Sequence, residues 1–127
     1  MINTILAISA GGALGALARH GMNVGIMALV KAPFPYGTLC VNILGSFLVG
    51  AFVASFAGIW NPGKLGQLFF VTGFLGAFTT FSTFSLDTMA LLTRGDVFGA
   101  LSYVLGSVVL SIAAVFLGTA FVYFLIK

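Results

Sequence analysis

Four long apolar runs separated by short polar turns make up this 127-residue sequence, and they restrict what it can fold into. Hydrophobic residues account for 61% of the chain and charged residues for 6%, whereas a soluble domain usually carries about 25% charged residues. A chain with so few polar groups cannot cover a surface that faces water. Because a helix of about 20 residues crosses a bilayer core, the runs predict an all-α membrane protein with four transmembrane helices.

The predicted spans cover about residues 2–30, 36–59, 65–93 and 97–126, within a single transmembrane domain that comprises residues 1–127. Two prolines in the segment 31–35 end the first helix, and Trp60 in the next turn suits the membrane interface. No Lys or Arg precedes Ser9, so we expect the first run to be a retained helix and not a cleaved signal peptide.

The positive charges that flank the spans give almost no preferred orientation. Lys64 and Lys127 lie on one predicted side of the membrane, and Lys31 and Arg94 lie on the other. Since cytoplasmic ends are normally enriched in Lys and Arg, this near tie predicts dual topology, with copies inserted both ways that can pair antiparallel. A fixed orientation set by a subtle bias remains the alternative.

Small residues four positions apart predict close helix packing. Gly11 and Gly15 on the first helix, and Ser46 and Gly50 on the second, have the spacing that lets helices approach closely in lipid. This spacing is common in membrane proteins and says little about what the protein transports. Four helices are also few to enclose a polar pathway, so we expect an oligomer whose pathway uses more than one subunit.

The third run is the most informative, because the segment 73–85, GFLGAFTTFSTFS, places two glycines before a dense series of hydroxyl residues in mid-membrane. Gly and Thr weaken a helix, and Ser and Thr can bond backbone groups that a break releases. We predict a non-helical break between Gly76 and Thr80, where unwound carbonyls can coordinate a cation. The alternative is a continuous helix whose hydroxyls bond back to its own carbonyls.

Phenylalanines recur along the same run with a 4, 3, 3 spacing, so on a continuous helix they would share roughly one face: Phe74, Phe78, Phe81 and Phe84. Aromatics on one face most often pack against other helices or face lipid. An aromatic ring nevertheless has a positive edge, which can contact a small anion if the edge points into a pore.

Other polar residues inside the spans are costly and therefore candidates for function. Arg19 stays charged, so it either snorkels to an interface or forms the positive floor of a vestibule. Asn42 suits an interhelical hydrogen bond as well as an ion pathway. Tyr103, Ser107 and Ser111 lie four apart and form a thin polar seam on the fourth helix.

The remaining reactive residues do not indicate an enzyme or a nucleic-acid-binding protein. The single cysteine, Cys40, lies in an apolar run and is expected to be a packing residue. One His and two peripheral Asp residues provide no acid–base pair, and we predict no catalytic residues. The few basic residues are too scattered to bind nucleic acid.

Three segments together resemble the Fluc (CrcB-type) fluoride channel family: GGALGALAR at 11–19, GTLCVNILGSF at 37–47, and GFLGAFTTFSTF at 73–84. The third segment is the most specific, and length and span count also fit. The resemblance implies a fluoride-selective channel in the cell inner (plasma) membrane, multi-pass, that passively exports fluoride. It implies an antiparallel dual-topology homodimer with two pores.

The resemblance also implies roles for individual residues. The fluoride pathway would be lined by Asn42, Phe81, Phe84, Ser82, Thr83, Tyr103 and Ser107. The Gly76 and Thr79 carbonyls of both subunits would hold a structural sodium ion at the dimer interface, and Arg19 would stand in the vestibule. Two positions depart from the family pattern, His20 where Tyr is frequent and Asp87 where Glu is frequent.

A proton-coupled small multidrug exporter is the alternative function, because such exporters also have four spans and dual topology. They depend on a membrane-embedded Glu in the first helix, and this sequence contains no Glu. Its two carboxylates, Asp87 and Asp96, lie close to a turn. The fluoride channel is therefore the interpretation that the sequence favours.

Overall fold

The computed structural model describes all 127 residues, and they form an all-helical bundle. We number the helices α1 (Ile2–Val30), α2 (Tyr36–Gly58), α3 (residues 63–78), α4 (Phe81–Thr93) and α5 (Val97–Ile126). The helices α3 and α4 together form one span, Gly63–Thr93, so the bundle has four helices that are long and apolar enough to cross a membrane. The predicted number of candidate membrane-spanning helices, four, is confirmed.

Two close helix pairs organise the bundle: α2 packs along α5, and α1 packs along residues 68–78 of α3. Gly50 faces the Val115 carbonyl on α5, and Gly118 faces the Phe47 carbonyl on α2, so close that an added Cβ at either glycine would collide with it. In lipid, helices associate by packing and not by a hydrophobic drive. Small residues at these contacts therefore determine how closely the backbones approach.

The turns that end the helices follow from local chemistry. Lys31 ends α1 in the left-handed conformation with φ of 49°. Gly95, with φ of 80°, makes the turn between α4 and α5. The Asp96 side chain then caps α5, because its Oδ1 accepts a hydrogen bond of 2.8 Å from the Gly99 amide.

The third span is irregular in two places. Residues Leu68–Leu75 form a wide π-helical segment, which often marks a functional site. Further along, Thr79 and Thr80 are both extended, with ψ of 156° and 118°, so the helix is interrupted there. The break lies inside the predicted interval but is shorter, since Gly76–Phe78 remains helical.

The break also divides the expected stripe of phenylalanines. Phe74 and Phe78 stack with ring centroids 6.1 Å apart on one side of the break. Phe81 and Phe84 form a tilted pair at 5.2 Å on the other side. The four rings therefore belong to two separate pairs, because the extended residues reset the helical register that the spacing assumed.

Most of the bundle surface is apolar. Only 21 of 127 residues are buried, and large hydrophobic side chains are exposed along every span. A bilayer requires an apolar exterior, and it requires that backbone N–H and C=O groups form their hydrogen bonds within the protein. Lipid is therefore the environment for which most of this surface is suited.

Candidate ion pathway

The break in the third span is held by a side chain from another helix. Asn42 on α2 donates from Nδ2 to the Thr80 carbonyl at 3.0 Å, and its Oδ1 accepts from the Thr80 amide at 2.7 Å. The amide of Asn42 thus pairs with the backbone of Thr80 as a neighbouring peptide group would. Since polar backbone groups in a membrane must be satisfied within the protein, this pairing allows the chain to unwind in mid-span.

The Thr80 side chain begins the helix that follows the break. Its Oγ1 accepts a hydrogen bond of 3.1 Å from the Thr83 amide, the arrangement of an N-cap. The same hydroxyl contacts Thr83 Oγ1 at 3.1 Å and Ser82 Oγ at 3.2 Å. Thr80 therefore connects the break, the start of α4 and the hydroxyl series behind it.

These bonds change the surroundings of the two carbonyls proposed to bind a cation. In a continuous helix the Thr80 amide would donate to the Gly76 carbonyl, and the Thr83 amide to the Thr79 carbonyl. Here the Thr80 amide donates to Asn42, and the Thr83 amide donates to the Thr80 side chain. Both carbonyls lose their helical donors, and oxygen ligands of this kind suit a hard cation.

A cavity of about 450 Å³, which we call the central cavity, opens beside the break. Four of the predicted pathway residues line it: Asn42, Phe81, Phe84 and Ser107. Its remaining lining contains two further serines, both break threonines and apolar side chains, but no charged residue. The central cavity is thus a neutral space lined by polar side chains and aromatic rings.

One donor in the central cavity has no protein partner. Ser107 is 6% exposed, and its buried Oγ makes no hydrogen bond. An unpaired buried hydroxyl costs about 1–3 kcal/mol. A hydrogen-bond acceptor that reached this hydroxyl from the central cavity would remove that cost.

Tyr103, a further predicted pathway residue, lies behind the central cavity and not in its lining. Its side chain is fully buried, and its ring packs on Phe84 with centroids 5.3 Å apart. The Tyr103 hydroxyl donates to Asp87 Oδ2 at 3.0 Å. The phenol therefore connects the aromatic pair of the central cavity to a carboxylate on α4.

Arg19 lines a second cavity of about 220 Å³, which we call the arginine cavity. His20 and Asn23 line it from α1, and Thr80 and Thr83 from the region of the break. The arginine cavity contains no carboxylate, so it is a polar, positively charged space. Thr80 lines both cavities and stands between them.

The structure thus distributes the predicted residues over adjoining spaces. Thr83 lies in the arginine cavity, and Ser82 is exposed and lines neither cavity. Thr80 was not predicted as a site residue, although it forms more polar contacts than any of the residues that were. Its position before a regular helical stretch is a typical N-cap signal and would have identified it.

Comparison with known proteins gives a family match over most of the chain. Residues 6–119 match the family described as CrcB-like protein, Camphor Resistance (CrcB). A relative from Agrobacterium fabrum named "Fluoride-specific ion channel FluC" is 49% identical over 120 residues, which cover 94% of this chain and 95% of the relative.

Other relatives carry the same name. The protein from Paracoccus denitrificans is 49% identical over 118 residues, which cover 93% of each chain. The protein from Nitrobacter winogradskyi is 46% identical over 114 residues, which cover 90% of each chain. These alignments include the segments that form the break and both cavities.

Proposed function

The chain belongs to the CrcB family, and on that premise we propose that it is a fluoride-selective channel that acts as an antiparallel homodimer with two pores. It is a multi-pass membrane protein, and in bacteria such channels reside in the plasma membrane. Fluoride passes down its electrochemical gradient, so the channel exports fluoride from a cell that has accumulated it.

The observation that carries this function is the chemistry of the central cavity. Fluoride is a small, strongly hydrated anion, so a narrow pathway must replace its water with donors. The unpaired Ser107 hydroxyl and the Asn42 amide supply donors, and the Phe81 and Phe84 ring edges supply weaker positive contacts. No fixed charge lines the cavity, which suits conduction because an ion must bind favourably enough to enter and weakly enough to leave.

The exposure of residues on both sides of the break supports a dimer. Phe81 is 77% exposed in mid-span, and Gly76 beside the break is exposed as well. Polar and partly unwound backbone is tolerated at membrane depth only where protein or water covers it. A second copy of the chain, packed over this face, would cover the break and complete the pathway that one copy lines on one side.

A sodium ion at the dimer interface fits the same region. The carbonyls of Gly76 and Thr79 lack the amide donors that a continuous helix would give them. Two copies related by a twofold axis would bring four such oxygens together. Sodium prefers oxygen ligands, and its charge would offset the like-signed carbonyl dipoles that meet at the axis.

The remaining roles complete the pathway. Arg19, in a cavity without carboxylates, attracts anions into the vestibule. Thr83 and Ser82 continue the hydroxyl series that starts at Thr80, and Tyr103 forms the wall behind Phe84. The near tie of flanking positive charges, Lys64 and Lys127 against Lys31 and Arg94, supports insertion in both orientations.

Ion flux from liposomes tests this function. Purified protein should release fluoride rapidly and retain chloride. Asn42→Ala removes a donor and the partner of Thr80, so it should lower fluoride flux at least about tenfold, the loss expected when one hydrogen bond to a charged group, worth about 1.5 kcal/mol, disappears. Phe81→Ile removes a weaker aromatic contact and should lower the flux by a smaller factor.

Ser55→Ala is a matched control, because the Ser55 hydroxyl bonds only to the Ala51 carbonyl of its own helix. Its flux should equal that of the wild type. Equal chloride and fluoride flux, or flux of neither ion, would show that the protein is not a fluoride channel.

A further inference from the structure

A third cavity of about 290 Å³, which we call the outer cavity, lies where the segment between α1 and α2 meets the end of α4. Phe34 and its two flanking prolines line it on one side, and Asp87, Leu91 and Arg94 line it on the other. It has one positive and one negative side chain, and none of the residues in its lining belongs to the central cavity.

The helix α4 joins the two cavities. Phe84 lines the central cavity, Asp87 and Leu91 follow three and seven residues later, and Arg94 follows directly after α4. These offsets keep the side chains on one helical stripe. At a rise of 1.5 Å per residue, the stripe extends about 15 Å from the level of Phe84 to the level of Arg94, roughly half of a bilayer core.

Aromatic rings continue along the same route. The Tyr103 ring packs against Phe84 at 5.3 Å on the side of the central cavity. On its other side it packs against Phe34 at 5.6 Å, edge to face with an interplanar angle of 89°. Tyr103 thus contacts one lining residue of each cavity, and its hydroxyl donates to Asp87.

Arg94 is held in place at the outer end. Its Nη2 donates to the Pro33 carbonyl at 2.8 Å, next to Phe34 in the chain. A guanidinium has five N–H donors, so this bond leaves others available. Prolines on both sides of Phe34 restrict the backbone, so the same short segment positions the ring and anchors the guanidinium.

We propose that the outer cavity is the mouth at which the fluoride pathway meets water, with Arg94 as the charge that attracts the anion and Phe34 as the aromatic wall beside it. The proposal rests on the channel function above. The Asp87 carboxylate would repel an approaching anion, and Arg94 in the same cavity offsets that repulsion. Because the charge acts at an exposed mouth, its effect must weaken as salt screens it.

The test measures the initial rate of fluoride efflux from liposomes that contain the full-length protein, at two concentrations of an impermeant sodium salt. Arg94→Gln should lower the rate about fivefold to tenfold at about 0.01 M salt, where the screening length is about 30 Å, and less than about twofold at about 1 M salt, where it is about 3 Å. Arg94→Lys keeps the charge and should stay within about twofold of the wild type at both concentrations.

Two further variants separate charge from structure. Ala90→Glu keeps Arg94 but places a negative charge in the outer cavity, four residues before Arg94, where it partly neutralises the guanidinium, and it should show the same salt-dependent loss. Lys31→Gln removes a positive charge from the same end of the bundle, at an exposed residue that does not line the cavity, and should have a smaller effect.

The outcomes are distinct. If the wild-type protein releases no fluoride, the channel function fails. If the wild type conducts but Arg94→Gln and Ala90→Glu match it at low salt, or lose the same factor at both salt concentrations, the outer cavity is not the mouth. Phe34→Leu should lower the rate equally at both concentrations, because a ring edge is not a net charge.

Discussion

The third span and the fourth have nearly the same length, 31 and 30 residues, but they differ in what holds them together. The fourth span, α5, is one uninterrupted helix that packs on α2 through facing small residues. The third contains a π-helical segment and an extended break, where the Asn42 side chain on α2 forms the hydrogen bonds that the Thr80 backbone lacks within its own helix. Regular helix suffices where side chains pack or line the cavity, as Ser107 does, and it is given up where backbone groups must be presented.

The largest effect on stability should come from disturbing the contact between α2 and the regular helix α5. Gly118→Ala places a Cβ against the Phe47 carbonyl, so α2 and α5 must move apart. Overpacking of this kind typically costs about 1–3 kcal/mol, and we expect the upper end because the obstacle is backbone. The midpoint of thermal unfolding of the purified protein in detergent would measure it.

Gly106→Ala is the matched control on the same helix. A Cβ at Gly106 meets nothing within 4 Å, and Ala is the better helix former by about 1 kcal/mol. Its midpoint should therefore rise or stay unchanged. A stable Gly118→Ala protein would contradict the view that this contact sets the helix spacing.

A smaller loss of stability should follow from removing sodium, which tests the proposed cation site in the irregular third span. If sodium binds the Gly76 and Thr79 carbonyls as proposed, replacing it with a large organic cation should destabilise the protein. At a sodium concentration about 100 times the dissociation constant, the loss is about 2.7 kcal/mol. An unfolding midpoint that is the same in both salts would contradict the sodium site.

The sequence predicts the regular features better than the irregular ones, for a physical reason. Span positions depend on local hydropathy, and the break depends on a local excess of Gly and Thr, so both were predictable. The bonds that build the site are not local: Asn42 and Thr80 are 38 residues apart, and Arg94 and Pro33 are 61 apart. No pattern in a single sequence encodes those pairings.

The same reasoning explains why some side chains lie elsewhere than the sequence predicts. Phe74 and Phe84 have helical spacing in the sequence, but the two extended residues between their pairs rotate one pair relative to the other. Thr83 and Ser82 are adjacent, yet one lines the arginine cavity and the other is exposed. A prediction of side-chain direction through the break would have required the backbone angles of Thr79 and Thr80.

The smallest effect on stability, and the sharpest contrast with function, is expected for Ser107→Ala. The Ser107 hydroxyl is buried on the regular helix without a partner, so its removal should leave stability unchanged or raise it by about 1 kcal/mol. Fluoride flux should fall about tenfold, because a donor to a charged group contributes about 1.5 kcal/mol or more. Thermal unfolding and liposome flux on the same preparation measure both quantities. A loss of stability with normal flux would mean that the hydroxyl bonds to another protein group and does not serve the ion.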